Sequence, residues 1–145
     1  MGTITFNNHN VAFVLKDKLR LKTFLRSVFV QEKVDFRSIS YIFCTDEFLL
    51  KLNQQYLNHD TLTDILTFNL SGGGLPIDSE IYISIDRVTE NAKIVKAKFP
   101  DELYRVMIHG ILHLCGYNDH TKTEKATMRS KEDFYLGQII LKCST

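Results

Sequence analysis

The chain has no excess of charge of either sign, no paired-cysteine spacing, no long apolar run and no internal repeat, and each absence removes a class of protein. Eighteen Lys and Arg stand against 17 Asp and Glu, a formal charge of +1 with a pI near 7.7. A surface for polyanions therefore has to come from local clustering of basic residues. The three cysteines, Cys44, Cys115 and Cys143, are an odd number without C-x-x-C spacing, which argues against a disulfide framework and suits a reducing cytosol. No apolar stretch reaches membrane-spanning length, and the first residues do not form a basic stretch followed by an apolar signal region. A cytoplasmic protein with no membrane partner is the expectation. With 145 residues, 44% of them hydrophobic, and no linker or low-complexity segment, the chain fits one domain, residues 1–145, with a sizeable core.

Periodicity places the elements. Residues 3–6 and 38–45 are rich in β-branched and aromatic side chains, 63–68 makes a third short run, and 80–85 alternates, so four strands are expected. Apolar residues recur at helical spacing over 11–30, through Val14, Leu15, Leu19, Leu21, Leu25, Val28 and Phe29. Asp46 and Asp86 stand where caps of two further helices are expected, and 123–141 reads as a last helix with Met128 and Phe134 in the core. The fold class is α+β (α/β-like): a small mixed sheet of about four strands covered by helices. Lys16, Lys18, Arg20, Lys22 and Arg26 share the exposed side of the first helix, a solvated face by the bland reading and a weak phosphate contact by the sharper one. Ser71-Gly72-Gly73-Gly74 is a flexible loop, because no lysine or helix start follows as a phosphate-binding loop requires.

Three of the five histidines fall within the twelve residues 109–120. If 102–115 is helical, His109 and His113 lie one above the other on a single face, so two imidazoles can hold one ion from a rigid base. Gly116 then ends the helix, and a left-handed glycine there can return His120 toward the first two rings. Three neutral nitrogen ligands with one position open describe a catalytic zinc-like site on a helix and its following loop.

The stretch His109-Gly-Ile-Leu-His113-Leu-Cys-Gly116-Tyr117, followed by Asp119-His120, resembles the signature of the YbeY-type bacterial endoribonucleases, the ribosomal RNA maturation factors. Two further blocks are similar to that family's: Asn53 and Tyr56 leading into Thr63-Asp64-Ile-Leu-Thr-Phe68, and Glu80-Ile-Tyr-Ile-Ser84. The resemblance implies a metallohydrolase fold holding one divalent ion, usually taken as Zn2+. It also implies cleavage of single-stranded RNA in maturation and quality control of the small ribosomal subunit, with rRNA as substrate and ribosomal proteins as possible partners. His109 and His113 match the first two ligands. The family places its last histidine six residues after the second ligand, whereas His120 falls seven after His113. One added residue extends the reach by at most about 3.5 Å, so His120 is the expected third ligand and Asp119 the alternative. The family's arginine after the tyrosine matched by Tyr56 is replaced by Leu57. Arg105, one turn before His109, is the candidate for that phosphate-facing charge, and Asp64 the candidate for orienting a ligand or water. The implied chemistry is phosphodiester hydrolysis by water made more acidic at the ion.

Two rival readings remain. A metzincin-like metalloprotease shares the His-x-x-x-His spacing, but such proteases carry a glutamate directly after the first histidine as general base, and here that residue is Gly110. A non-catalytic ribosome-assembly protein with a structural metal needs a fourth protein ligand. His59 is the candidate to close such a sphere, while Cys115 lies two residues from His113 and points away from it.

Overall fold

In the computed structural model, which describes residues 2–57 and 63–143, the last four as backbone only, the elements follow the order β1 (Thr3–Asn8), α1 (Lys18–Glu32), β2 (Phe36–Cys44), α2 (Asp46–Leu57), β3 (Ile65–Asn69), β4 (Ile77–Ser84), α3 (Ile85–Ile94), α4 (Phe99–Leu114) and α5 (Lys122–Cys143). The strands form one sheet in the order β1-β2-β4-β3. The first three run parallel, and β3 is antiparallel to β4 at the edge, with Ile65 opposite Ile83 and Thr67 opposite Ile81. The expected α+β class and mixed four-stranded sheet are what the chain forms.

The central strands β2 and β4 alternate along their length, with Ile39, Tyr41 and Phe43 of the one and Ile81 and Ile83 of the other all buried in the main core. On one face α1 and α4 close the main core: Phe24, Leu25, Val28 and Phe29 meet Met107, Ile108, Ile111 and Leu112 over the sheet. On the other, α2 covers a smaller cluster of Cys44, Leu49 and Leu66 with Phe48, Phe68 and Tyr82. Two features set α4 against the sheet. The Tyr41 hydroxyl, fully buried, donates to the Met107 carbonyl at 2.9 Å. Gly110 faces the strands so closely that an added Cβ would lie 3.0 Å from Ile65 Cδ1 and 3.2 Å from Ile81 Cδ1. The histidine one residue before Gly110 is thereby turned toward the open side of β3.

Local chemistry shifts several boundaries from expectation. The first helix begins at Lys18 and not at residue 11, because Asp17 takes a left-handed conformation (φ 55°) that breaks the helical phase. Val14 and Leu19 consequently point outward, 79% and 80% exposed, while Leu15 is buried. Thr45, and not Asp46, caps α2: its Oγ1 accepts from the Phe48 amide at 3.1 Å. Asp46 is freed to accept from Ser84 Oγ at 2.6 Å and to pair with Arg87 at 2.9 Å. Ser84 in turn caps α3 through the Arg87 amide, displacing Asp86 from that role. Met128 is in the core as expected, but Phe134 is 56% exposed, since Glu132, Tyr135, Leu136 and Ile139 make up the inward side of α5 there. Among the described residues no helix is long and apolar enough to cross a membrane.

Candidate metal centre

Helix α4 starts with Pro100 in its first turn, where a missing N–H costs nothing, and carries Asp101 and Glu102 near its positive end. Its last two turns present His109 and His113 side by side, ring centroids 4.6 Å apart and planes at 82°. The helix then stops in a Schellman arrangement. Gly116 has φ 104°, its amide bonds the His113 carbonyl at 3.0 Å, and the Tyr117 amide bonds the Leu112 carbonyl at 3.0 Å. The start of α5 is equally tied. Thr121 Oγ1 accepts from the Glu124 amide at 3.1 Å, and Glu124 Oε1 reaches back to the amides of Thr121 and His120 at 2.9 and 3.2 Å. That reciprocal capping box is legible as Thr-x-x-Glu in the sequence, a signal the expected helix start at 123 passes over.

Between those two clamps only Asn118, Asp119 and His120 are left to turn the chain. Asp119 takes the inward place: its Oδ2 lies 3.4 Å from His109 Nε2 and 3.5 Å from His113 Nε2. The three groups each offer one ligand atom, all within 4.8 Å of one another. Donors sharing a tetrahedral ion at about 2.0–2.1 Å sit about 3.3 Å apart, so this two-nitrogen, one-oxygen set could hold a metal ion. His120 lies at the exposed rim of the same cleft, held by its backbone to Glu124, and is outside that cluster. Asp119 stands six residues after His113 and His120 seven.

Behind these three side chains is a group that sequence reasoning misses. Glu132 of α5 is 5% exposed, and its Oε2 lies 2.6 Å from His109 Nδ1. Its other oxygen accepts from Arg105 Nη1 at 3.1 Å, while Arg105 Nη2 pairs with Asp133 at 2.7 Å. Arg105 is thus engaged in two ion pairs at the back of the site and does not face the cleft. Burial works to lower the His109 pKa, but the hydrogen bond and charge of Glu132, with Asp119 and Asp64, raise it on balance. For His113 burial and the neighbouring His109 dominate and hold the pKa down.

The cleft in front, about 730 Å³, is lined on one side by Thr63, Ile65, Thr67 and Asn69 and on the other by His109, His113, Asp119 and His120, with Leu57 at the end. Among its described lining residues none is Lys or Arg. A smaller cavity of about 150 Å³ lies behind it between Asp64, Glu102, Arg105, Arg129, His109 and Glu132. Asp64 borders both spaces, and burial raises its carboxyl pKa. His59 lies outside the described residues. Gly110, the position of the protease glutamate, is packed against Ile65 and Ile81, so that a side chain there enters the core instead of the cleft.

A sequence model of the family described as endoribonuclease YbeY matches residues 5–140. The chain is 48% identical over 126 residues to the endoribonuclease YbeY of Flavobacterium psychrophilum, covering 87% of this chain and 89% of that one. It is 44% identical over 135 residues to the protein of the same description in Cytophaga hutchinsonii, covering 93% and 94%. The solution structure of a Thermotoga maritima protein superposes with a TM-score of 0.69 at 30% identity, over 98% of this chain and 92% of that one. With the family match spanning nearly the whole chain and relatives this similar over most of their length, this chain belongs to the endoribonuclease YbeY family.

Proposed function

We propose that the protein is a metal-dependent endoribonuclease that cuts single-stranded RNA, with rRNA of the small ribosomal subunit as its substrate in the cytoplasm and residues 1–145 acting as one domain. The observation that carries this reading is the convergence of His109, His113 and Asp119 at the floor of an open cleft, in a chain whose relatives are described as endoribonucleases.

In this reading His109 and His113 supply nitrogen ligands, and Asp119 supplies the third, an oxygen. Zn2+ is the favoured ion for two imidazoles and one carboxylate. When bound, such an ion supplies Lewis acidity toward a phosphoryl oxygen and a more acidic water. The chain's own residues do the rest. Asp119 brings a negative charge that a third histidine would lack, tempering the site's net charge. Asp64, half-buried where it borders the cleft and the smaller cavity behind it, orients a ligand or water. The wall of β3 positions the RNA strand: Ser84 donates to the Asp64 carbonyl and the Leu70 amide to the Asp78 carbonyl, so the alternation of an antiparallel ladder turns the backbone groups of Thr67 away from β4, toward the free edge. Arg105 is occupied by Glu132 and Asp133 and serves the site from behind.

The test is cleavage of a labelled single-stranded RNA by the purified protein, with His113→Ala and a chelator-treated sample alongside. Loss of cutting in both, restored in the wild type by Zn2+, is expected. Activity unchanged in His113→Ala would overturn the assignment, and cutting of casein with RNA left intact would favour a protease. A 2′,3′-cyclic phosphate on the product would show that the ribose hydroxyl, and not water, attacks.

A further inference from the structure

We propose that Glu132 is a positioning residue which fixes the tautomer of His109, and that Arg105 is the residue which keeps Glu132 available to do so. The inference rests on the reading of His109 as a ligand.

The two oxygens of Glu132 have separate partners. Oε1 accepts from Arg105 Nη1 at 3.1 Å, and Oε2 is 2.6 Å from His109 Nδ1. A carboxylate only accepts, so the ring nitrogen facing it must carry the proton. In the neutral ring the lone pair is then on Nε2, the atom 3.4 Å from Asp119 Oδ2 and turned to the shared ligand position. With 7% of its side chain exposed, Glu132 has little solvent to turn to, and the 16%-exposed Arg105 forks across Glu132 and Asp133. The helices α4 and α5 are thereby joined at the ring that has to be oriented. Charged pairing of the orienting group to a ligating histidine raises metal affinity by about 10–100-fold in comparable sites.

The amide variant makes the idea falsifiable. Glu132→Gln keeps the shape but leaves one acceptor and one donor. Arg105 has only donors, so it claims the amide oxygen. The amide NH2 then faces His109 Nδ1, which must accept, and the ring proton moves to Nε2, where it blocks the ligand position. Removing the nearer competitor reverses this: Arg129 Nη1 stands 4.0 Å from the same oxygen, beyond hydrogen-bond reach, so in Arg105→Met/Glu132→Gln the oxygen is released to turn to His109, and the original tautomer returns. A role confined to packing predicts no such rescue, since the double variant loses more contacts than the single.

The experiment reads the ring-nitrogen chemical shifts of His109 by NMR in the metal-free protein above neutral pH, and Zn2+ affinity by competition with a chromophoric chelator. Expected are an Nδ1–H ring in the wild type, an Nε2–H ring in E132Q with affinity about 10–100-fold weaker, and recovery of both readouts in the double variant. Wild-type tautomer and affinity in E132Q would overturn the proposal, as would a double variant no better than the single. Should E132Q fail to fold, Glu132→Asp serves: it keeps the Nδ1–H ring while the shortened reach weakens Zn2+, and an unweakened affinity overturns the proposal. If the wild type binds no Zn2+, the metal-dependent reading fails, while the ring signal still decides the role of Glu132.

Discussion

Tyr117 donates its hydroxyl proton to Glu32 Oε1 at 2.8 Å, which ties the loop carrying Asp119 to the last residue of α1. Glu32 is held in turn by Tyr135 and, at 3.2 Å, by Lys131, both on α5. The short loop carrying Asp119 is therefore clamped along its backbone by the end of α4 and the start of α5, and from the side by a carboxylate belonging to a third helix. A site that must keep three donor atoms within a few ångströms gains from such support, because the ordering is done when the chain folds and not when the ion arrives.

The competition between Asp119 and His120 yields the most direct prediction. Asp119→Ala is expected to abolish Zn2+ retention after dialysis and RNA cleavage with it, while His120→Ala retains the metal, because its side chain lies at the exposed rim. Metal content by elemental analysis checks both. Loss of metal in His120→Ala with retention in Asp119→Ala would return the third place to histidine.

How much of this is legible before folding differs from element to element. His109 and His113 are legible because a four-residue spacing on an apolar helix places two side chains on one face, whatever surrounds them. Asp119 against His120 is not, because the choice depends on where two clamps leave the chain, and reach alone admits both. Glu132 is invisible for another reason: it is 23 residues from His109 in sequence and resembles any helix-surface glutamate until α5 packs against α4. Arg105 reads as a free cation for the same cause, its partners 27 and 28 residues away. The strands show through their own composition, but the start of α1 does not, since one left-handed residue, Asp17, ends an apolar pattern that otherwise extends back to residue 11.

Gly110 separates this site from a protease site physically as well as by its letter. Gly110→Glu directs a carboxylate between Ile65 and Ile81, where an unpaired buried charge costs about 3–5 kcal/mol. The expected result is a chain that unfolds at far lower urea concentration, without gain of peptidase activity. A stable, peptide-cutting G110E protein would contradict the packing described.

The capping box at α5 should couple stability to metal binding. Thr121→Ala removes the acceptor for the Glu124 amide and is expected to cost about 1 kcal/mol. Because the same box ends the loop bearing Asp119, Zn2+ affinity should weaken too, measured by the same chelator competition. A stability loss with affinity unchanged would show that the loop is held by Gly116 and Tyr117 alone.

Glu32 predicts the acid limb of the stability curve. Burial by itself pushes its pKa up, but the hydrogen bonds from Tyr135, Tyr117 and Lys131 outweigh that and hold it below the ordinary 4.5. A carboxylate whose pKa is lower in the folded than in the unfolded chain binds protons more readily when unfolded. Its stabilisation is therefore complete above about pH 4.5 and disappears as pH falls through the lower folded value. Glu32→Gln should remove about 1 kcal/mol near neutrality, allowing for the screening of a partly solvated group, and should narrow the gap to wild type as pH is lowered below that point. Urea unfolding followed across this range measures the gap directly. A gap that stays constant from neutral to acid pH would show that the cluster's charge contributes nothing and that Tyr117 is held by packing alone.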